Sequence, residues 1–244
     1  MIIFRGANKI VQLYSLRRHL CVNFLDYNTN AISTNYWAPL NNDFNMLLKY
    51  KLIFATNNQH KIDEIQPLLG KDFNLITLAE AGINIDIPEP HDSLEKNAIE
   101  KATTIFNITQ QNCFAEDTGL EVTALNGEPG VKSARYAGDS RSSDKNIEKL
   151  LHKLEDFSDR SARFRTVIAL IWNTQTYVFE GICNGTILTQ PSGSNGFGYD
   201  AIFIPTGASY SFAQMPLIEK NTWSHRRKAV DKLTTFLKQH INKA

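Results

Sequence analysis

Four short stretches of this chain combine residue types that can act on a polyanion. Thr56, Asn57, Asn58, Gln59, His60 and Lys61 set a hydroxyl, several amides, an imidazole and a lysine between an apolar strand and the start of a helix. Backbone N–H groups at such a start, with one lysine, suit phosphate oxygens. The turn is not a Walker A loop, because the pattern GxxxxGKS or GxxxxGKT occurs nowhere. Taken alone, a helix capped by Thr56 or Asn57 with a solvated Lys61 explains it better. The second stretch, Phe114 to Leu120, carries the adjacent carboxylates Glu116 and Asp117. In an extended segment they point to opposite sides. One or both can hold Mg²⁺, which takes a couple of carboxylates and lets substrate phosphates complete its shell. Glu89, between Pro88 and Pro90, adds an acid on a rigid turn. The competing reading is a solvated turn with Asp117 as a cap.

The third stretch runs from Ser194 to Asp200, where Gly196 and Gly198 flank Phe197, followed by Tyr199. Glycines let the backbone approach a ligand closely, and the ring offers a stacking face. The fourth, Lys220 to Arg227, brings Lys220, His225 and Arg226 to the entry of the last helix, with Ser224 as its N-cap. A solvated basic helix start explains Arg227 and Lys228 better. His19, His91, His152 and His240 show no metal-ligand spacing, and Cys113 and Cys183 lie in apolar strands as small core residues.

The elements that must position these residues follow an α/β alternation. Residues 51–55 read as a buried strand, 61–69 as a helix kinked at Pro67 and closed by Gly70, and 74–78 as a second strand. A long helix is expected over 94–109, with Leu94, Ala98, Ala102 and Ile105 on one face. Strands at 112–115 and 120–125 are expected on either side of an acidic turn, then a helix over 143–154. Residues 162–172 and 175–182 pattern as an antiparallel pair turning at Asn173 and Thr174. A further strand is expected from Gly185, another over 199–204, and an amphipathic helix over 224–241.

Composition narrows the function classes. A 42% hydrophobic, 21% charged chain of 244 residues can bury a sizeable core, which excludes a fibre or a disordered chain. No apolar run reaches the ~20 residues of a membrane span. Three cysteines without a CxxC pair fit a reducing cytoplasm better than a disulfide scaffold. Residues 46–244 carry 22 basic and 23 acidic groups, and this near-neutral body disfavours a nucleic-acid polymer as partner. Residues 1–45 are rich in asparagine and lack a sustained period between Asn23 and Asn45. They read as an extension, either weakly ordered or preceding a true start at Met46; a targeting segment is a third reading, met only loosely by Arg5 to Leu20.

From Lys51 onward the sequence resembles the inosine triphosphatase family of house-cleaning pyrophosphatases. The resemblance rests on FATNNQHK (54–61), IPEPHDSLEKNAIEKA (87–102), AEDTGLEV (115–122), PGVKSARYAG (129–138), GFGYDAIF (196–203) and SFAQM with KN and SHR (211–226). It implies an elongated mixed β-sheet flanked by helices, with two lobes around a central substrate cleft. It also implies a Mg²⁺-dependent homodimer that cuts dITP, ITP or XTP into a nucleoside monophosphate and pyrophosphate. By this resemblance Thr56 to Lys61 hold the triphosphate, Asp117 is proton acceptor and metal ligand, and Thr118 is a substrate-contacting hydroxyl. Phe197, Gly198, Tyr199 and Asp200 match the base loop, while Lys220, His225 and Arg226 match the remaining base and phosphate contacts. Glu89 falls at an acidic metal-ligand position. Glu116 stands where aspartate is usual, Thr118 where serine is frequent, Asn57 for glycine, Ala201 for proline and Gln214 for glutamate. Gln214 has lost a charge and receives no catalytic role. A non-catalytic purine nucleotide-binding module on the same cleft is the alternative, and the retained Glu116–Asp117 pair favours the enzyme.

Overall fold

The computed structural model describes residues 50–241 in full, together with the backbone of residues 2–6, 9–16, 19–26 and 32–39. Met46 lies outside the described residues. The chain divides into two units, Met1–Tyr50 and Lys51–Ala244. In the first, β1 (Ile2–Gly6), β2 (Lys9–Leu16), β3 (His19–Asp26) and β4 (Ile32–Pro39) form an antiparallel sheet in sequence order. β4 and the end of β3 thus occupy part of the stretch from Asn23 to Asn45, whose sequence shows no sustained period. The strands themselves are rich in isoleucine, leucine, valine and aromatic residues, which suit a pleated strand.

The second unit is built on a mixed sheet. Its strands are β5 (Tyr50–Phe54), β6 (Phe73–Ile76), β7 (Cys113–Val122), β8 (Pro129–Gly130), β9 (Ser161–Trp172), β10 (Gln175–Ile187) and β11 (Phe203–Pro205), in the order β11-β10-β9-β7-β5-β6 with β8 beside β7. β5 and β7 are parallel; β7, β9, β10 and β11 pair antiparallel in succession. Alternate residues bury two faces. Cys113, Ala115, Val167, Ala169 and Ile171 pack with Leu94, Ala98, Ala102 and Ile105 of α2 (Leu94–Thr109). Phe114, Ile168, Leu170 and Trp172 pack on the opposite face with Ala229, Val230, Leu233 and Leu237 of α5 (His225–Ile241). Each fully buried side chain of this kind contributes about 1.5–3 kcal/mol of transfer free energy, so the two helices are held mainly by these stripes.

Helix starts follow their caps. Asn58 caps α1 (Gln59–Ile65) by accepting from the Lys61 N–H, and Ser93 does the same for α2 from Lys96. The Ser224 hydroxyl accepts from the backbone of Arg226 and Arg227 at the start of α5, as its sequence position predicts. Helices α3 (Ser143–Lys153) and α4 (Leu217–Trp223) complete the unit.

Four expectations need correction. β7 is one strand through Glu116 and Asp117, not two strands around an acidic turn, because unbroken pairing with β9 from Cys113 to Val122 satisfies its backbone. β10 likewise runs on through Gly185 to Ile187 rather than starting anew. Residues 200–202 form a 3₁₀ turn before the short β11, so 199–204 is not one strand. α1 ends at Ile65 and passes into a 3₁₀ turn containing Pro67, which has no N–H to continue the helix.

One glycine sets how closely α5 approaches the sheet. A Cβ on Gly181 of β10 would lie 2.0 Å from the His225 carbonyl oxygen and 2.5 Å from the Ala229 nitrogen. These are backbone atoms and cannot rotate away. Gly181→Ala should therefore push the start of α5 outward and destabilise the fold by about 1–3 kcal/mol, the usual cost of overpacking. Denaturant unfolding checks this; an unchanged midpoint would show that α5 tolerates displacement.

Candidate active site

The site forms where the two parallel strands separate. β5 and β7 are last in register at Phe54 and Phe114, whose rings stack 4.4 Å apart, and the Ala55 N–H donates to the Phe114 carbonyl at 2.8 Å. Beyond this the chain leaves β5 through Thr56, and β8 joins β7 only at Leu120. Glu116, Asp117 and Thr118 therefore meet no strand on that edge, which faces a cleft of about 530 Å³. A crevice at the carboxyl ends of parallel strands is where α/β sheets bind ligands.

All four stretches singled out in the sequence reach this cleft: Thr56 to Lys61, Asp117 with Thr118, Phe197 to Asp200, and Lys220, His225 and Arg226. Two named residues do not line it. Gln59 faces solvent and donates to Asp63 at 2.8 Å, and Glu116 lies beneath the lining. In the phosphate turn, Thr56 Oγ1 accepts from the Asn58 N–H and Asn57 Nδ2 donates to the Ile85 carbonyl. Asn57 is not among the residues of positive φ, so replacing glycine there forces no left-handed backbone.

Adjacent carboxylates serve opposite faces of β7. Asp117 turns toward α2: its Oδ1 accepts from Lys101 Nζ at 3.0 Å and its Oδ2 from Asn97 Nδ2 at 3.3 Å. Lys101 also donates to Glu89 Oε1 at 2.8 Å and to the Glu116 carbonyl at 2.9 Å, while Arg135 donates to Glu89 Oε2 at 3.1 Å. Burial raises the Asp117 carboxyl above its usual range, with Glu89 adding to the shift and Lys101 and Lys61 opposing it. Burial also opposes charge on Lys101, yet Asp117 and Glu89 outweigh this and raise its pKa.

Glu116 turns toward α5. Arg226 donates Nε to Oε2 and an Nη to Oε1, both at 2.8 Å, a bidentate fork. Thr118 Oγ1 donates to Glu116 Oε1 at 2.7 Å and lies 2.6 Å from Thr166 Oγ1. Burial alone would raise the Glu116 carboxyl; Arg226 and Lys61, with the hydrogen bonds from Arg226 and Thr118, hold it far below the carboxylate range. The other Nη of Arg226 pairs with Glu64 of α1. Lys220 bridges Glu64 at 2.7 Å and Asp200 at 2.6 Å. Burial raises the Asp200 carboxyl, and its Oδ2 also accepts from the Phe197 N–H at 2.9 Å. A Cβ on Gly196 would lie 2.1 Å from that oxygen, so the loop needs glycine there.

Phe197 presents its ring to the cleft, with Lys220 Nζ 5.2 Å and Arg226 Cζ 5.6 Å from its centroid. Tyr199 does not act as a second stacking face: it is buried, and its hydroxyl donates to the Ser133 carbonyl at 2.9 Å. His225 is buried and stacks on Phe164 with ring centroids 4.6 Å apart. Burial, with Arg226 and Lys220 beside it, pushes the imidazole well below its usual pKa, so it is neutral. Its Nδ1 is buried without a hydrogen-bond partner. Gln214 accepts from the Ser211 N–H in a capping box and takes no part in the site.

Asn97, Lys101, Glu64 and Arg135 were not singled out by the sequence reading. The signal for the first two was present: 97 and 101 fall inside the apolar stripe 94, 98, 102, 105, where a polar residue must find a buried partner.

Carboxylates and cations gathered along one cleft of a mixed α/β sheet suit an enzyme that acts on a polyphosphate. A family model described as the Ham1 family matches residues 52–236, and the chain belongs to that family. It is 49% identical over 187 residues to the dITP/XTP pyrophosphatase of Flavobacterium johnsoniae, covering 77% of this chain and 97% of the relative. The enzyme of the same name from Porphyromonas gingivalis is 50% identical over 188 residues, again covering 77% and 97%. The solved structure of the Staphylococcus aureus Ham1 protein superposes with a TM-score of 0.72 at 40% identity, over 78% of this chain and 99% of that one.

Removing the guanidinium tests the buried network. Arg226→Met leaves Glu64 and Glu116 without their common partner, which should cost about 3–5 kcal/mol at neutral pH. Glu64, like Glu116, has its folded pKa held below the ordinary value of 4.5, by Arg226 and Lys220 against burial. This contribution is complete above that value and is lost as pH falls through the depressed one. The stability gap between wild type and variant should thus narrow below about pH 4.5, measured by unfolding across pH; a gap independent of pH would contradict the assignment.

Proposed function

We infer that this chain hydrolyses non-standard purine nucleoside triphosphates (dITP, ITP and XTP) to the nucleoside monophosphate and pyrophosphate. The observation that carries the reading is Asp117. Its carboxylate lies at the open edge of β7, raised in basicity by burial, in the cleft that also holds the phosphate turn and the aromatic loop. A carboxylate of raised pKa is the better proton acceptor for an attacking water, a role worth roughly 10²–10⁴-fold. Attack on the α-phosphorus forms one P–O bond, Asp117 takes the water's proton, and the bond from the α-phosphorus to the bridging oxygen breaks. Lys61 and Lys220 lie where they can meet the charge of the triphosphate and of the departing pyrophosphate. Thr118 lines the same cleft, its hydroxyl held by Glu116 and Thr166.

The acids also fit a divalent metal. Asp117 and Glu89 both place an oxygen within 3.0 Å of the single Lys101 nitrogen, so the pair already converges on one positive charge. Among the described residues no three acids, histidines or cysteines form a ligand cage. Two carboxylates completed by substrate oxygens is the donor set Mg²⁺ takes. Asp117 and Glu89 would hold it, with Glu116 orienting Arg226 instead of ligating. When bound, Mg²⁺ supplies neutralisation of phosphate charge and acidification of water.

For the base, Phe197 gives the stacking face and His225, which lines the same cleft, gives a polar contact at the purine edge. A neutral imidazole protonated there pairs with a 6-oxo group and meets an unmatched donor in adenine. Each unsatisfied buried group costs about 1–3 kcal/mol. The reading extends to a homodimer acting in the cytoplasm, with residues 46–244 as the catalytic domain and residues 1–45 as an extension outside it. In its support, alignments of 187 and 188 residues span nearly all of the relatives. Among the described residues no helix is long and apolar enough to cross a membrane.

Asp117→Asn should lower turnover of ITP by at least about 10²-fold while unfolding stays near wild type. Turnover retained within severalfold would remove Asp117 from the reaction. With the wild-type enzyme, kcat/KM for ITP should exceed that for ATP by roughly 10- to 100-fold per lost contact. Equal values would dismiss the reading of His225. Chelation of divalent ions should stop pyrophosphate release and added Mg²⁺ restore it; release unaffected by the chelator would refute metal dependence.

A further inference from the structure

The ring of Phe197 does not stand free in the cleft. His60 lies against it with centroids 5.0 Å apart and ring planes only 11° from parallel, an offset stack. The two residues come from opposite parts of the site. His60 is in the first turn of α1, directly before Lys61, whereas Phe197 sits on the loop held by Asp200 and Gly196. Both line the cleft. Two rings in van der Waals contact leave no space for a third between them, since a stacked base needs about 3.5 Å of clearance on each side.

We propose that the imidazole of His60 occupies part of the stacking face of Phe197 in the ligand-free enzyme and acts as a gate over the base subsite. A nucleotide must separate the two rings before its base reaches Phe197. His60 thereby opposes every ligand that carries a base and does not oppose a ligand that stops at the phosphate turn. This inference rests on the purine-binding reading of the Phe197 loop. The cost of opening is the same for every base, so the gate sets affinity for nucleotides without choosing among them.

Two measurements on the full chain test the gate. In the ligand-free protein, the ring current of Phe197 should shift the carbon-bound proton resonances of the His60 imidazole, and Phe197→Leu should abolish that shift. His60→Ala should lower KM for ITP by about two- to tenfold, from the worth of an aromatic pair. Inhibition by inorganic tripolyphosphate, which lacks a base, should not strengthen in His60→Ala, and His60→Phe should restore the wild-type KM. An unshifted His60 resonance, an equal or higher KM in His60→Ala, or an equal fall in KM and in the tripolyphosphate Ki would each overturn the gate. Should wild-type enzyme leave ITP intact, the functional reading fails while the ring-current measurement still decides whether the rings are stacked.

Discussion

Arg226 is the constraint on which the site depends. Its guanidinium is buried between Glu116 of β7 and Glu64 of α1, and it stands at the start of α5. Three elements far apart in sequence are thus tied at one planar group whose donors are fixed in direction. A lysine nitrogen can bridge two carboxylates, as Lys220 does, but it cannot give Glu116 a bidentate fork while also reaching Glu64. The close approach of α5 at Gly181 then follows, because the guanidinium must reach the sheet from the first turn of the helix. Lys220 repeats the pattern on a smaller scale by joining Glu64 to Asp200 of the aromatic loop. Phosphate turn, strand and base loop are held in one frame by buried ion pairs, which cost more to break than they add over an apolar substitute. Their effect is specification of geometry.

The two adjacent acids divide their work because a strand alternates. Glu116 falls on the α5 face, where a fork and a hydroxyl satisfy it and hold it ionised; Asp117 falls on the α2 face, where burial and a neighbouring carboxylate raise it. Identical chemistry one residue apart is therefore split into a structural anion and a basic one. That separation of pKa values between neighbouring groups marks acid–base sites more sharply than the presence of acids alone.

Much of this was legible from patterns with a local cause. The helix over 94–109 has a serine cap and an uninterrupted stripe, and its ends fall where the pattern puts them. The continuity of β7 was not legible, because a Glu–Asp pair next to glycine imitates a turn and only the partner strand β9 shows that these backbone groups are paired. Lys101 was missed for a related reason. On an amphipathic helix a lysine reads as solvated, and its burial depends on Asp117, 16 positions later, and on Glu89, 12 positions earlier. Long-range partners of this kind leave in the sequence only an anomaly, a polar residue in an apolar stripe. β4 of the first unit leaves even less, since it lies in the stretch from Asn23 to Asn45 that shows no sustained period.

Charge balance around the cleft bears on how a triphosphate can enter. Glu64, Glu89, Glu116, Asp117 and Asp200 are all paired with Lys61, Lys101, Lys220, Arg135 or Arg226. Each of these cations already answers a carboxylate, so the network is neutralised from within. A ligand bearing several negative charges then has two ways to be accepted: it shares cations that carboxylates hold, or it brings positive charge with it. Sharing Lys61 and Lys220 with the phosphates weakens the pairs those lysines already make, a cost that falls as further positive charge arrives with the ligand. Asp117 and Glu89, which share Lys101, are the acids that would hold a divalent ion, and its charge would offset that of the phosphates. Lys101 would then give up partners that lie outside the frame, while Arg226 would keep its pairs with Glu116 and Glu64.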